Sequence, residues 1–241
     1  MKLLDTTGNN TKVKKTNDFR SKRVINALGD SIRLASLSMR PDDILCPSRH
    51  IAGCAEACLV SAGMGSFSNV EAGRQSKTDF FHNDREAFLD QLRRELGNFE
   101  RLCAKTGTKP IVRLNTISDI QWERYGIPQA FPNIFFYDYT KIAKRLGNTP
   151  ANYRLMFSYS AKYEYQKQVA IALKHEVPMS VVFRGAMPET FLGRKVINGD
   201  VSDLENLFSG KTIVGLTAKG KAKKSESDFV IDTNLIARVA A

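Results

Sequence analysis

An α/β fold on a parallel sheet, an incomplete (β/α) barrel, is predicted for this chain by three observations. Short apolar runs recur through its C-terminal half, each closed by a polar cluster. Helical patterns separate several of these runs, and 241 residues is an ordinary length for one such domain. An open doubly wound sheet is the alternative, although no G-x-G-x-x-G follows the first expected strand.

Residues 1–28 are polar, basic and weakly periodic, and read as an N-terminal arm with little structure of its own, leaving 29–241 as a single α/β domain. Ser31–Met39 alternates and suits a first strand. A helix-like piece near Ala52–Ala62 follows it. The clearest helix spans Asp84–Thr106: Asp84 is placed to cap it, apolar residues recur at Phe88, Leu89, Leu92, Leu96, Phe99 and Leu102, and Gly107 closes it. The remaining strands are expected at Ile111–Leu114, Ile134–Tyr137, Tyr153–Phe157, Ser180–Phe183 and Ile213–Leu216, with a helix over Lys162–His175.

Composition is that of a globular protein, 42% hydrophobic and 25% charged. No apolar run approaches the roughly 20 residues of a membrane span, and the N-terminus lacks a signal-peptide core. Four clustered rather than evenly spread cysteines fit a reducing, intracellular compartment. The formal net charge of +11 concentrates at Lys12–Arg23 and Lys219–Lys224, which favours contact with nucleic acid or another polyanion through basic tails. No RNP-type, zinc-finger or helix-turn-helix pattern accompanies that charge.

The chemistry concentrates in Leu45–Gly65, which holds three of the four cysteines as C-x7-C-x3-C: Cys46, Cys54 and Cys58. Three thiolates can each hold one iron of a [4Fe–4S] cluster and leave the fourth iron open. With His50 the same loop reads as a Cys3His zinc set. Cys103 lies apart, in the long helix. A parallel sheet gathers ligands at the carboxyl ends of its strands. Asn115, Ser118, Asp119, Asp138, Lys141 and Arg184 stand there and are expected to face one polar or anionic ligand. Taken singly, Asp119 and Asp138 also suit helix caps.

The segments CPSRHIAGCAEACLVSAGMG, RLNTISDIQWE, FYDYTK, VINGD and IVGLTAKGKA resemble the bacteriophage gene product 88 family over about residues 30–230. That resemblance implies a phage origin and expression in the cytoplasm of an infected bacterium, and names no activity. A more distant similarity is to the radical SAM superfamily, where a cysteine motif follows the first strand of an incomplete parallel barrel. That likeness implies an enzyme using a cluster and S-adenosylmethionine. The chain departs from it in spacing, C-x7-C-x3-C against C-x3-C-x2-C, and has NTISD where a Gly-Gly-Glu-like segment is usual. These departures weigh against S-adenosylmethionine more than against the cluster.

Other motifs are few. Gly63, Gly65 and Gly73 with Arg74 form a candidate anion-binding turn without P-loop spacing. Trp122 reads as core or pocket wall, and His175 as a surface residue on a helix. The sequence thus favours an iron–sulfur protein, with a zinc-stabilised, nucleic-acid-associated or host-interacting protein as the alternative.

Overall fold

A computed structural model describes residues 1–7, 11–19 and 21–235. Ten strands among them form one sheet, mostly parallel, with helices on both faces. In chain order the elements are β1 (Leu4–Asp5), α1 (Thr11–Asp18), α2 (Lys22–Leu28), β2 (Ile32–Leu37), α3 (Ser68–Asn83), α4 (Arg85–Thr106) and β3 (Lys109–Arg113). They continue with α5 (Ile127–Ala130), β4 (Phe135–Thr140), β5 (Tyr153–Ser158), α6 (Gln166–Ala172) and β6 (Met179–Arg184). The chain ends with β7 (Thr190–Phe191), β8 (Arg194–Asn198), α7 (Asp203–Leu207), β9 (Ile213–Thr217) and β10 (Val230–Asp232).

The strand order is β1-β2-β3-β4-β5-β6-β9-β8-β7, with β10 paired to the C-terminal half of β6. Strands β2 to β6, β8, β9 and β10 are parallel to their neighbours in that core, and only the short β1 and β7 run antiparallel. The expected α/β class and parallel sheet are therefore present. The barrel is not: β1 pairs only with β2 and β7 only with β8, so among the described residues no ladder closes the sheet.

Strand alternation sorts side chains onto two faces. Ala35, Val112, Phe136, Leu155 and Val181 meet Phe81 of α3, Phe88, Leu92, Leu96 and Phe99 of α4, and Val169 of α6 in the larger core. Leu34, Ile111, Tyr137, Met156 and Val214 face the other way, against Val13 of α1, Val24 and Leu28 of α2, and Leu204 and Leu207 of α7. Residues 1–28, expected to be weakly structured, thus supply β1, α1 and α2 and bury five apolar side chains: Leu3, Leu4, Val13, Val24 and Leu28. One or two apolar residues per helix suffice there because the sheet provides the opposing wall.

The long helix matches its sequence signals. Asp84 Oδ1 accepts from the Ala87 amide at 3.0 Å, and Gly107 closes α4 in the left-handed region at φ 64°. Its buried face ends on Cys103, while Leu102, expected in the stripe, is 37% exposed. The expected helix over Ala52–Ala62 is absent apart from one 3-10 turn at Leu59–Ser61. Gly53 stands at φ 64°, and the amides of Cys54 and Ala55 both turn back to the Arg49 carbonyl, which breaks the i→i−4 ladder.

Candidate functional site

Residues 38–67 leave the C-terminal end of β2 and reach the loops that follow β3 and β5. Asp42 starts the loop: its Oδ1 accepts from the Ile44 and Leu45 amides, and its Oδ2 is 2.6 Å from His82 Nε2 of α3. The Leu45 carbonyl then accepts from the Asp119 amide at 2.8 Å, so the cysteine segment rests on the loop after β3. From the far side comes the chain that follows β9: the 3-10 turn Gly220–Lys223 packs onto Leu59–Ser61. Gly220 has φ 55°, and a Cβ there would lie 2.8 Å from the Ser61 carbonyl oxygen. The Lys221 amide donates to Ser61 Oγ at 3.0 Å, and Ala222 is buried with Ala57. The lysine-rich Lys219–Lys224 is therefore a strap over the cysteine loop rather than a tail.

Cys46, Cys54 and Cys58 are all half-buried. The Cys46 thiol donates to the Ile117 carbonyl and the Cys54 thiol to the Arg49 carbonyl, each at 3.7 Å. Burial pushes the Cys46 thiol strongly up, helped by Asp119 and by the charges that Cys54 and Cys58 would carry; burial also raises Cys54, with Cys58 contributing. The three sulfurs therefore share one electrostatic environment. In this conformation they are not drawn together: among the described residues no group of three His, Cys, Asp or Glu is arranged to hold a metal ion. His50 stands outside, exposed, with Nε2 2.8 Å from Asp43 Oδ1.

Cations lie within electrostatic range of all three thiols. Arg49 acts on Cys46, Lys141 on Cys54, and Arg74 is acted on by Cys58. The Lys141 ammonium projects between the rings of Tyr165 and Phe229, 5.4 and 4.3 Å from their centroids, and donates to Ser158 Oγ at 3.1 Å. Burial lowers its pKa, opposed first by Cys54 and then by Asp119, Cys46 and Cys58. Arg74 donates through Nη1 to the Gly65 carbonyl at 2.9 Å, and its buried Nε has no hydrogen-bond partner; neither has the buried Nε of Arg49. Arg74 was legible as part of the glycine-rich turn. Arg49 carried no signal, since its relation to Cys46 depends on how the loop folds.

The strand-end polar residues separate into three groups. Asn115, Ser118, Asp119 and Asp138 belong to one network turned into the fold. Asp138 accepts from the Asn115 amide at 2.7 Å, from Asn115 Nδ2 at 3.2 Å and from the Tyr153 hydroxyl at 2.8 Å. Asn115 Oδ1 accepts from Ser118 Oγ, the Ile120 amide and Trp122 Nε1, which places Trp122 in the core as expected. Asp119 accepts from the Lys141 amide and from Arg145 Nη1, and Arg145 also pairs with Glu123 and donates to Tyr153. Of the expected set, Lys141 and Asp119 both act electrostatically on the cysteines. Arg184 lies apart, binding Asp232 at 2.9 Å and thereby tying β6 to β10. The six residues do not converge on one ligand, because strand-end loops consume their polar side chains to satisfy their own backbone.

A second buried polar centre, unmarked in the sequence, lies on the opposite face. Asp203 of α7 accepts from Arg113 Nη1 at 2.7 Å and from the Tyr139 hydroxyl at 2.9 Å, and stands 3.5 Å from Lys12 Nζ. It fastens α1 and α7 to β3 and β4.

A family model described as gene product 88 matches residues 1–233, nearly the whole chain. The chain belongs to the gene product 88 family, the bacteriophage group its motifs resemble. No curated protein matches it, and no solved structure does. The similarity to the radical SAM superfamily finds no support in these comparisons. In this gene product 88 protein no helix of the described residues is long and apolar enough to cross a membrane.

Proposed function

We propose that this gene product 88 protein is a phage-encoded metal–thiolate protein, acting in the cytoplasm of the infected host, in which Cys46, Cys54 and Cys58 hold a [4Fe–4S] cluster. The observation that carries this reading is the gathering of three half-buried cysteines on one strand-end loop, with cations within electrostatic range. Metal-bound thiolates would add negative charge in range of these cations, which neutral thiols do not, beyond the carboxylates Asp43, Asp119 and Glu71 that already act on them. The donor set suits iron and sulfide: three soft ligands on one loop, with the Cys46 and Cys54 thiols making only weak contacts to the Ile117 and Arg49 carbonyls. A cluster held by three cysteines supplies one-electron transfer and one open iron for an exogenous ligand. S-adenosylmethionine is not part of the proposal, since Asn115, Ser118 and Asp119 after β3 are engaged internally.

Anaerobic purification tests it. A brown protein absorbing near 400 nm, with iron and sulfide bound in the wild type and lost in C46S, C54S and C58S, is expected. Zinc in place of iron would favour the alternative of a zinc-stabilised, nucleic-acid-associated protein. One observation supports polyanion contact independently: Lys221, Lys223 and Lys224 are exposed on the strap beside the cysteine loop. Binding of a short single or double strand should then fall steeply between low and physiological salt, and fall further in a variant lacking those three charges.

A further inference from the structure

Buried polar atoms are nearly always hydrogen-bonded, so a buried atom without a partner asks for an occupant. Six side-chain atoms are in that state among the described residues, and three of them belong to the Asp203 centre: Arg113 Nε, Ser202 Oγ and Asn206 Oδ1. Ser202 and Asn206 flank Asp203 and, four residues apart, lie on one side of α7 and its cap. Asn206 Nδ2 donates to the Gly199 carbonyl at 2.9 Å, which orients the amide and leaves Oδ1 in need of a donor. Arg113 spends Nη1 on Asp203 and Nη2 on the Thr116 carbonyl, and the Tyr139 ring lies 4.7 Å from its guanidinium carbon. The one carboxylate of Asp203 meets both Arg113 and Lys12, and the nearby Asp200 is held by Lys219. Arg113 ends β3, Tyr139 stands near the end of β4 and Gly199 follows β8. The centre therefore sits at the carboxyl ends of parallel strands, where such sheets bind ligands. Lys12 and Tyr139 are half-buried, so its edge meets solvent.

We propose that the Asp203 centre is a ligand site that takes a phosphate group at Arg113, Ser202 and Asn206. The inference is independent of the cysteine reading. Phosphate oxygens accept from Arg113 Nε and Ser202 Oγ, and the anion balances the second of the two cations that share Asp203. Asn206 Oδ1 sets the choice of anion. A phosphate with its second pKa near 6 still carries a hydroxyl in part of the population at neutral pH and can donate to that oxygen. A carboxylate or a sulfate is ionised there, accepts only, and would face Asn206 Oδ1 with another acceptor.

The test is calorimetric titration of the full chain with inorganic phosphate, sulfate and ribose 5-phosphate, alongside the variants S202A and R113K. The wild type should bind phosphate more tightly than sulfate. S202A removes a hydroxyl that makes no hydrogen bond in the fold, so it should melt as the wild type does and bind phosphate about tenfold more weakly. R113K keeps a cation against Asp203 but lacks Nε, and should weaken binding similarly. Tighter binding of ribose 5-phosphate than of inorganic phosphate would make the source a phosphate ester, the reverse would make it the free ion, and either upholds the site. No phosphate binding by the wild type would overturn the proposal. So would equal affinity for sulfate, or binding unchanged in both S202A and R113K, which would put the anion elsewhere. A marked fall in the melting temperature of S202A would overturn it too, by making the hydroxyl a structural group.

Discussion

Two clusters of ionisable groups meet at the C-terminal ends of the strands, and they differ in how completely they are satisfied. Around Arg145, the guanidinium meets Asp119, Glu123 and the Tyr153 hydroxyl, and Asp138 collects three donors. Around the cysteines, Lys141 and Arg74 form no close ion pair among the described residues, with Asp119 and Glu71 acting on them only at longer range, and the Cys46 and Cys54 thiols lean on carbonyls. The first cluster is complete without any ligand, so its charges serve the fold. The second is less completely satisfied, which suits the binding role proposed for it.

The largest expected effect separates the two clusters directly. Arg145→Met should leave the buried Asp119 and the half-buried Glu123 without their guanidinium partner and cost about 3–5 kcal/mol in urea unfolding. Lys141→Met, close by in the same loop, should cost little. Similar losses for both would erase the distinction. Asp138 sharpens it by pH: burial, opposed by Arg113 and by the Asn115 and Tyr153 hydrogen bonds, raises its pKa to about 7. A carboxyl raised above its unfolded value of about 3.9 binds more protons in the fold, so its contribution is fully present below about pH 4 and lost as pH rises through 7. Asp138→Asn should destabilise by about 2–3 kcal/mol, because its amide would confront the Asn115 and Tyr153 donors. That deficit, measured as the wild-type minus variant stability, should shrink between pH 4 and 7. A constant deficit would mean the carboxyl titrates normally.

The sheet was largely legible and the site only in part, for different reasons. Buried parallel strands such as Ile111–Val112 and Tyr153–Phe157 announce themselves as continuous apolar runs, and α4 carries both its caps. The helices α1 and α2 were hidden because each needs only Val13, or Val24 and Leu28, to dock. Cys46, Cys54 and Cys58 were visible from spacing. Lys141 and Arg74 were also singled out, though for other ligands; Arg49 was not, since its place beside the cysteines depends on how the loop folds. Asn115, Asp119 and Asp138 look alike in sequence whether they face a ligand or a loop backbone. Here the Trp122 indole, the Ile120 amide, Tyr153 and Arg145 claim them, and only a fold shows that.

The strap over the cysteine loop gives an intermediate effect. Gly220→Ala would force a left-handed backbone onto a residue with a Cβ and press that carbon onto the Ser61 carbonyl, a strain of about 1–3 kcal/mol. The strap and loop should separate before the sheet yields. Faster alkylation of Cys58, with the melting temperature lowered by only a few degrees, is expected; unchanged alkylation would show that the loop holds itself without the strap.

The smallest effect is expected at the fourth cysteine, and it closes the comparison by holding the chemistry constant while changing the place. Cys103 is fully buried on the inward face of α4, among the side chains of the larger core, and burial raises its thiol. Arg33 and Glu100, of opposite charge, act on it in opposite senses. Replacing its sulfur with a hydroxyl exchanges a small apolar group for a polar one, but Thr108 Oγ1, which already lies against the Cys103 carbonyl at 3.4 Å, is close enough to receive it. Cys103→Ser should therefore cost about 1 kcal/mol in unfolding and leave bound iron, sulfide and chelator resistance at wild-type values. Loss of metal in this variant, with the fold retained, would bring the fourth cysteine into the proposed centre and break the division between a cysteine that packs and three proposed to bind.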